Sequence, residues 1–204
     1  MDRLKIKKHF KIYFLIAFCI LAAGIGLYPS FAQDSEALKE QEEARLTLRE
    51  YYLKAAFLQY VSRSVEWPED ALDENINVCV LGDIPSKKGI DSVDGRPAQS
   101  KTIKVLYIDD YQKAVEPKAC QILYVTNSEK NSMKKIIQST QGKPILTFGD
   151  MEGFAEEGGT MNFYVLNNRM AIMINLEATA DSELVLNEKM LQLFTIIPHM
   201  KDFS

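Results

Sequence analysis

Few side chains in this sequence are equipped for chemistry. Two histidines, three cysteines and one tryptophan stand among its 204 residues. His199 lies five residues from the C-terminus, so a Ser-His-Asp triad would have to draw its base from a chain end that is usually poorly ordered. One such histidine cannot build a zinc site without other soft ligands. No G-x-S-x-G, H-E-x-x-H or Walker pattern occurs. Carboxylates are numerous, but no spacing singles out a pair of the kind that glycoside hydrolysis needs. These observations point away from an enzyme, and neither metal nor cofactor is expected.

Binding is better represented. Gly153-Phe154-Ala155-Glu156-Glu157-Gly158-Gly159 is the one glycine-rich loop. It follows a strand-like run, as a phosphate cradle would, but opens another strand instead of a helix, and its acidic residues repel phosphate. Its glycines suit a sharp turn and close strand packing. Trp67, beside Pro68, marks a corner that either anchors the core or meets a partner. Met161, Met170, Met173, Met190 and Met200, with Phe163 and Phe194, either fill the core or form an adaptable apolar surface.

The first 32 residues read as an export leader. Arg3, Lys5, Lys7, Lys8 and Lys11 precede an apolar run from Ile12 to about Leu27, and Ser30-Phe31-Ala32 gives an A-x-A-like site. That run is too short and too glycine-broken for a membrane span of roughly 20 residues. Cleavage after Ala32 leaves residues 33–204 as one domain, with 19 basic and 27 acidic residues and a net charge of −8. Such a chain lacks the cationic footprint that nucleic acid requires. It also retains only Cys79 and Cys120. In an oxidising compartment these are expected to bridge, the alternative being two buried free thiols.

The elements that must position these residues follow from hydrophobic period. Residues 34–50 are charged and rich in helix formers. They lead into Leu53, Ala56, Phe57, Tyr60 and Val61, the stripe of one helix face ending before Trp67-Pro68. Apolar strand-like runs at 76–82, 102–108, 120–125 and 144–150 alternate with helical segments at 85–93, 110–115 and 129–140, which predicts βαβ units and a mainly parallel sheet. Residues 160–166 and 169–176 flank Asn167-Asn168, a hairpin turn giving two antiparallel edge strands. A C-terminal helix is expected over 187–194, capped by Asn187. The fold class is α/β: a single Rossmann-like domain with a mixed, mostly parallel sheet, flanking helices and an antiparallel edge hairpin.

With these segments in view, the chain resembles the YfiR/HmsC-like family. The resemblance is carried by Tyr52-Leu53-Lys54-Ala55-Ala56-Phe57-Leu58 leading to Val65-Glu66-Trp67-Pro68. It continues in Val78-Cys79-Val80-Leu81-Gly82, Cys120-Gln121-Ile122-Leu123-Tyr124-Val125, Ile145-Leu146-Thr147 to Gly153-Phe154, Glu157-Gly158-Gly159-Thr160-Met161-Asn162-Phe163 and Ile174-Asn175-Leu176. It implies a periplasmic regulator without enzymatic activity that binds the periplasmic portion of an inner-membrane diguanylate cyclase and holds it inactive. Cyclic di-GMP and biofilm output are thereby lowered. It also implies a homodimer, and places the family's central disulfide on Cys79 and Cys120. Some relatives carry a second, redox-sensitive disulfide near the Gly-Gly segment; no cysteine follows Cys120 here. The candidate partner- or ligand-binding residues are Trp67, Gly158, Gly159, Asn162, Phe163, Met173 and Asn175. A second reading is a small-molecule-binding module, with its ligand at the carboxyl ends of the parallel strands near Gly82-Asp83, Asn127 and Gly149-Asp150.

Overall fold

The computed structural model describes residues 29–197 apart from Asn168. The expected leader lies almost wholly outside the described residues, and Asn168, His199 and Met200 lie outside them too. The chain divides into two compact units, Met1–Leu46 and Thr47–Ser204. In the first, the described part is the opening stretch of helix α1 (Pro29–Ser64), whose side chains from 35 to 46 are all exposed. Its Arg45–Glu42 ion pair (2.7 Å) is open to solvent and contributes little.

In the second unit α1 buries Tyr51, Lys54, Ala55, Leu58, Val61 and Ser62. The helix is as expected, but its face is turned. Leu53 and Ala56 are exposed, and Phe57 and Tyr60 pack at the margin of the core. An apolar pattern counts lysine as solvent-facing, whereas Lys54 is neutralised inside the fold and so occupies the buried face. The helix ends at Ser64, short of Trp67-Pro68, because a residue preceding proline is driven out of the α region. The Gln99 side-chain amide donates to the carbonyls of Ser62 (3.3 Å) and Val65 (2.5 Å), satisfying groups that a helix end leaves open.

The chain continues through β1 (Val65–Glu66), β2 (Asn75–Leu81), α2 (Lys87–Asp91), β3 (Pro97–Ala98), β4 (Lys101–Ile108), α3 (Tyr111–Ala114) and β5 (Ile122–Val125). A 3-10 stretch over Asn127–Ser132 runs into α4 (Met133–Thr140), and β6 (Leu146–Gly149) follows. The hairpin is β7 (Met161–Leu166) and β8 (Arg169–Ile174), with Asn167 turning at φ 49°. Last come α5 (Leu176–Asp181), β9 (Val185–Leu186), α6 (Glu188–Leu191) and β10 (Thr195–Ile196).

Eight strands form one sheet in the order β10-β8-β7-β6-β5-β2-β4-β3. Pairings from β4 through β2, β5 and β6 to β7 are parallel, with Val78 opposite both Val105 and Ile122. β7 and β8 pair antiparallel. The mixed, mostly parallel α/β sheet with an antiparallel hairpin is therefore the fold. Both faces are covered, which is why β2, β5 and β6 read as continuous apolar runs. One core lies on the α1 side and includes Val78, Val80, Tyr124 and Phe148. The other includes Leu123, Val125, Ile136, Ile137 and Phe154, and holds the disulfide between Cys79 and Cys120, whose Cα atoms are 5.8 Å apart.

Three short pairings were not foreseen. β3 pairs antiparallel with the start of β4, Pro97 opposite Thr102. β10 adds to β8 in parallel, Thr195 opposite Met173, so the hairpin sits one short strand in from the rim. Asn187 does cap a helix, accepting from the Lys189 amide at 2.9 Å, but α6 is only four residues long. Beyond it the backbone satisfies its polar groups on the open side of β8, through the Ile197 amide to the Ile174 carbonyl, instead of continuing helically. β1 and β9 form a separate two-residue ladder.

Candidate functional site

The carboxyl ends of β5 and β6 meet α1 in a knot of polar side chains. Lys54 sits on the buried face of α1 with 4 % of its side chain exposed, and its ammonium donates to Asp150 Oδ2 at 2.7 Å and pairs with Glu50 Oε1 at 2.6 Å. The Tyr124 hydroxyl donates to the same Asp150 oxygen, also at 2.7 Å. Lys54 Nζ lies 4.6 Å from the Tyr51 ring centroid and 5.9 Å from that of Phe163, so aromatic faces add to the favourable field. Phe163 itself packs on Phe148 at 4.2 Å and edge-on to Tyr124 at 6.2 Å.

Titration follows from these contacts. Burial alone would lower the Lys54 pKa. The charge and hydrogen bond of Asp150, with that of Glu50, outweigh it and hold the group above its ordinary value. Burial pushes the Tyr124 hydroxyl upward, and the nearby Asp150 charge pushes it further. Burial also raises Tyr51, partly offset by Lys54. At neutral pH Lys54 is therefore an ammonium and Tyr124 a neutral phenol, both directed at Asp150. Lys54 and Tyr124 both find their acceptors inside the knot, which makes it a strut between α1 and the loop after β6.

That loop, residues 150–160, is built around Phe154, which is fully buried. Phe154 fills the space where side chains of Gly149 and Gly159 would stand: a Cβ on either would lie 2.2 Å from its ring. Gly158, at φ +110°, provides the left-handed turn that brings the chain back. Thr160 then locks to β6, its amide donating to Thr147 Oγ1 at 2.9 Å and its hydroxyl to the Thr147 carbonyl at 2.5 Å. Asn162 Oδ1 accepts from the Ala155 amide at 3.4 Å, and Asn175 Nδ2 donates to the Ala155 carbonyl at 2.9 Å while its Oδ1 caps α5 at the Ala178 amide. Replacing Gly159 by alanine is expected to destabilise the domain by about 1–3 kcal/mol through overpacking. Pairing it with Phe154→Leu should cost less than the sum of the two single changes. Urea denaturation checks this, and a Gly159→Ala effect below about 0.5 kcal/mol would refute the wedge.

The structure sorts the seven candidate residues into three places. Asn162, Phe163 and Met173 line a groove of about 400 Å³ between the loop and the β7–β8 hairpin, together with Asp150, Glu152 and Glu156. Gly158 and Asn175 line a neighbouring cavity of about 370 Å³ rimmed by Glu156, Glu157, Glu177 and Asp181. Gly159 supports the wall between them through Phe154. Trp67 stands apart at the amino ends of the strands, buried, with its indole N–H donating to the Gln121 carbonyl at 3.2 Å. Gln121 is the hub there: its side chain also accepts from the Asn77 amide (2.8 Å) and donates to the Ala71 carbonyl (2.7 Å).

On one side the strand end at Gly82 packs against the chain's own groups. At φ +91°, Gly82 packs against Thr126 Oγ1 and Ser128 Oγ, which a Cβ would meet at 2.3 and 2.4 Å, and the Asp83 amide donates to Ser128 Oγ at 2.9 Å. Beside that packing a cavity of about 560 Å³ opens at the carboxyl ends of β2 and β4, lined by Gly82, Asp83, Tyr107 and Lys113 among others. Sequence reasoning missed Lys54, Tyr124 and Glu50. The available signal was a lysine inside the buried repeat Tyr51, Ala55, Leu58. The hairpin tip carries two adjacent exposed apolar side chains, Val165 at 74 % and Leu166 at 52 %, and others stand at Val185 and Leu193.

Among the described residues no helix is long and apolar enough to cross a membrane. No curated protein matches the chain. Among solved structures it is similar to the ABC domain in complex with L-Trp from Streptococcus pneumonia, with a TM-score of 0.42 and 10 % identity over 63 % of this chain and 57 % of that one. It is also similar to a conserved domain protein from Vibrio cholerae O1 biovar El Tor, with a TM-score of 0.40 and 10 % identity over 63 % of this chain and 56 % of that one. The chain thus spans little more than half the length of either. The YfiR/HmsC-like family model matches residues 51–194, a stretch that begins at Tyr51 of the polar knot and takes in the disulfide, the Phe154 loop and the hairpin. The chain belongs to the YfiR/HmsC-like family.

Proposed function

We propose that this chain is a periplasmic regulatory binding protein that represses an inner-membrane diguanylate cyclase, lowering cyclic di-GMP and with it exopolysaccharide and biofilm output. The observation that carries the reading is family membership across 51–194. Two features of the site support it. The polar groups of the knot are consumed by one another, and the apolar groups nearby face outward at Val165 and Leu166. That is the distribution of a docking surface. Export after cleavage at Ala32, and work as a homodimer, belong to the same reading.

Repression would act by population shift. The protein favours the inactive receptor only by the difference in its affinity for the two receptor states. Deleting the gene in a strain with its cognate cyclase intact is expected to raise cyclic di-GMP, and re-expression should restore it. Unchanged cyclic di-GMP in the deletion strain would end the proposal. The small-molecule reading retains two specific observations, the cavity of about 370 Å³ beside Gly158 and Asn175 and the cavity of about 560 Å³ beside Gly82 and Asp83. Thermal stabilisation by a metabolite, abolished by filling one of these cavities, would favour it.

A further inference from the structure

The groove beside the polar knot has two unlike walls. On the loop side, Glu152 and Glu156 are exposed and have no ion-pair partner among the described residues. On the hairpin side stand Phe163, Val165 and Met173, and no lysine or arginine lines the groove. Asp150, at its inner end, is held by Lys54 and Tyr124. The apolar wall continues outward along Val165 and Leu166. Both walls are fixed, the loop by the Phe154 wedge and the hairpin by its sheet pairing, so a ligand would find the groove formed in advance.

The geometry points to a cationic, amphipathic segment of the regulated receptor as the occupant of this groove. Its apolar residues would lie on Met173 and Val165, and its lysines or arginines would face Glu152 and Glu156. The inference rests on the regulatory reading and deepens it by naming the contact surface and the partner's chemistry. Charge selects this occupant over two others. A second copy related by a twofold axis would bring the same carboxylates to the same face, and like charges oppose such pairing. An anionic lipid surface is repelled in the same way.

The test uses the exported chain, residues 33–204, and two probes: the periplasmic domain of the cognate cyclase and a fluorescent lysine–leucine amphipathic peptide. The variants are Glu152→Lys/Glu156→Lys and Val165→Asp, all at exposed positions, with Asp73→Lys/Glu74→Lys as a control of equal charge change at the amino ends of the strands. Both groove variants are expected to weaken binding at least tenfold to either probe, the charge reversal mainly through the association rate, and the control less than twofold. Binding of the unaltered chain should weaken with salt, and that dependence should flatten in Glu152→Gln/Glu156→Gln. If the cyclase domain binds groove variants and unaltered chain alike, the groove is overturned while the regulatory reading stands. If the cyclase domain fails to bind at all but the peptide binds through Glu152 and Glu156, the groove's chemistry stands and the regulatory reading falls. If the peptide binds the groove variants as it binds the unaltered chain, the groove is overturned.

Discussion

Replacing Asp150 by alanine should lower the unfolding free energy by about 3–5 kcal/mol, the range for breaking a buried ion pair by removing one partner. The loss has two parts. The Lys54 ammonium, with 4 % of its side chain exposed, keeps only Glu50, whose own side chain is 49 % exposed and well solvated. The Tyr124 hydroxyl loses its acceptor within the core. Adding Lys54→Met to Asp150→Ala should restore part of the stability, because the stranded charge is then gone.

The pH dependence carries the same signature. Lys54 and Tyr124 both have folded-state pKa values above their ordinary ones, so their contribution is complete below about pH 10 and is lost as pH rises further. Asp150→Ala should therefore be less stable at pH 7 and show a shallower alkaline decline. Chemical denaturation at pH 7 and pH 11 reads both effects. A loss at pH 7 below about 1 kcal/mol would show that the knot is not a strut.

Removing the Cys79–Cys120 bridge by Cys79→Ala/Cys120→Ala should destabilise the domain by about 4 kcal/mol, the chain-entropy value for a closed loop of this length, the cysteines lying 41 positions apart in sequence. The bridge joins β2 to the turn entering β5, and these strands already pair in parallel with Val78 opposite Ile122. The folded state therefore gains little from it, and the effect falls mainly on the unfolded chain. For a domain of this size that corresponds to a fall in Tm of roughly 8–16 °C. Calorimetry of the bridged and alanine forms decides it. Equal Tm values would mean that the unfolded chain is already held compact by other contacts.

How much could be read in advance depended on the range of the interaction. β2, β5 and β6 were legible because strands buried on both faces are continuous apolar runs, and the half-exposed β4 because it is rich in β-branched residues. α1 was legible because its period persists until a proline stops it. The hairpin was legible in Asn167, a residue that tolerates the φ of 49° it adopts. The face of α1 was misread at Lys54, because the carboxylate that makes its burial possible lies 96 residues away, beyond the reach of any local pattern. β1, β3, β9 and β10 escaped for a related reason: two-residue strands have no period of their own and exist only through a partner.

The site divides along the same line. The glycine-rich loop was legible as a turn that admits close packing, but Phe154 as the object packed against is a fact of three dimensions. Asn162, Phe163 and Met173 do share a groove, brought together by the β7–β8 register. Trp67 lies at the other end of the strands, since its corner is set by Gln121 and not by the loop.

The two outermost strands of the eight-stranded sheet, β3 and β10, are each only two residues long, and β3 begins with Pro97, which has no amide hydrogen to offer. Among the described residues each covers only two residues of its neighbour, so the rims are guarded further by charge, exposed Lys104 on β4 and exposed Arg169 on β8, which discourages pairing edge to edge. Any neighbour that extended the sheet would have to bury those charges first.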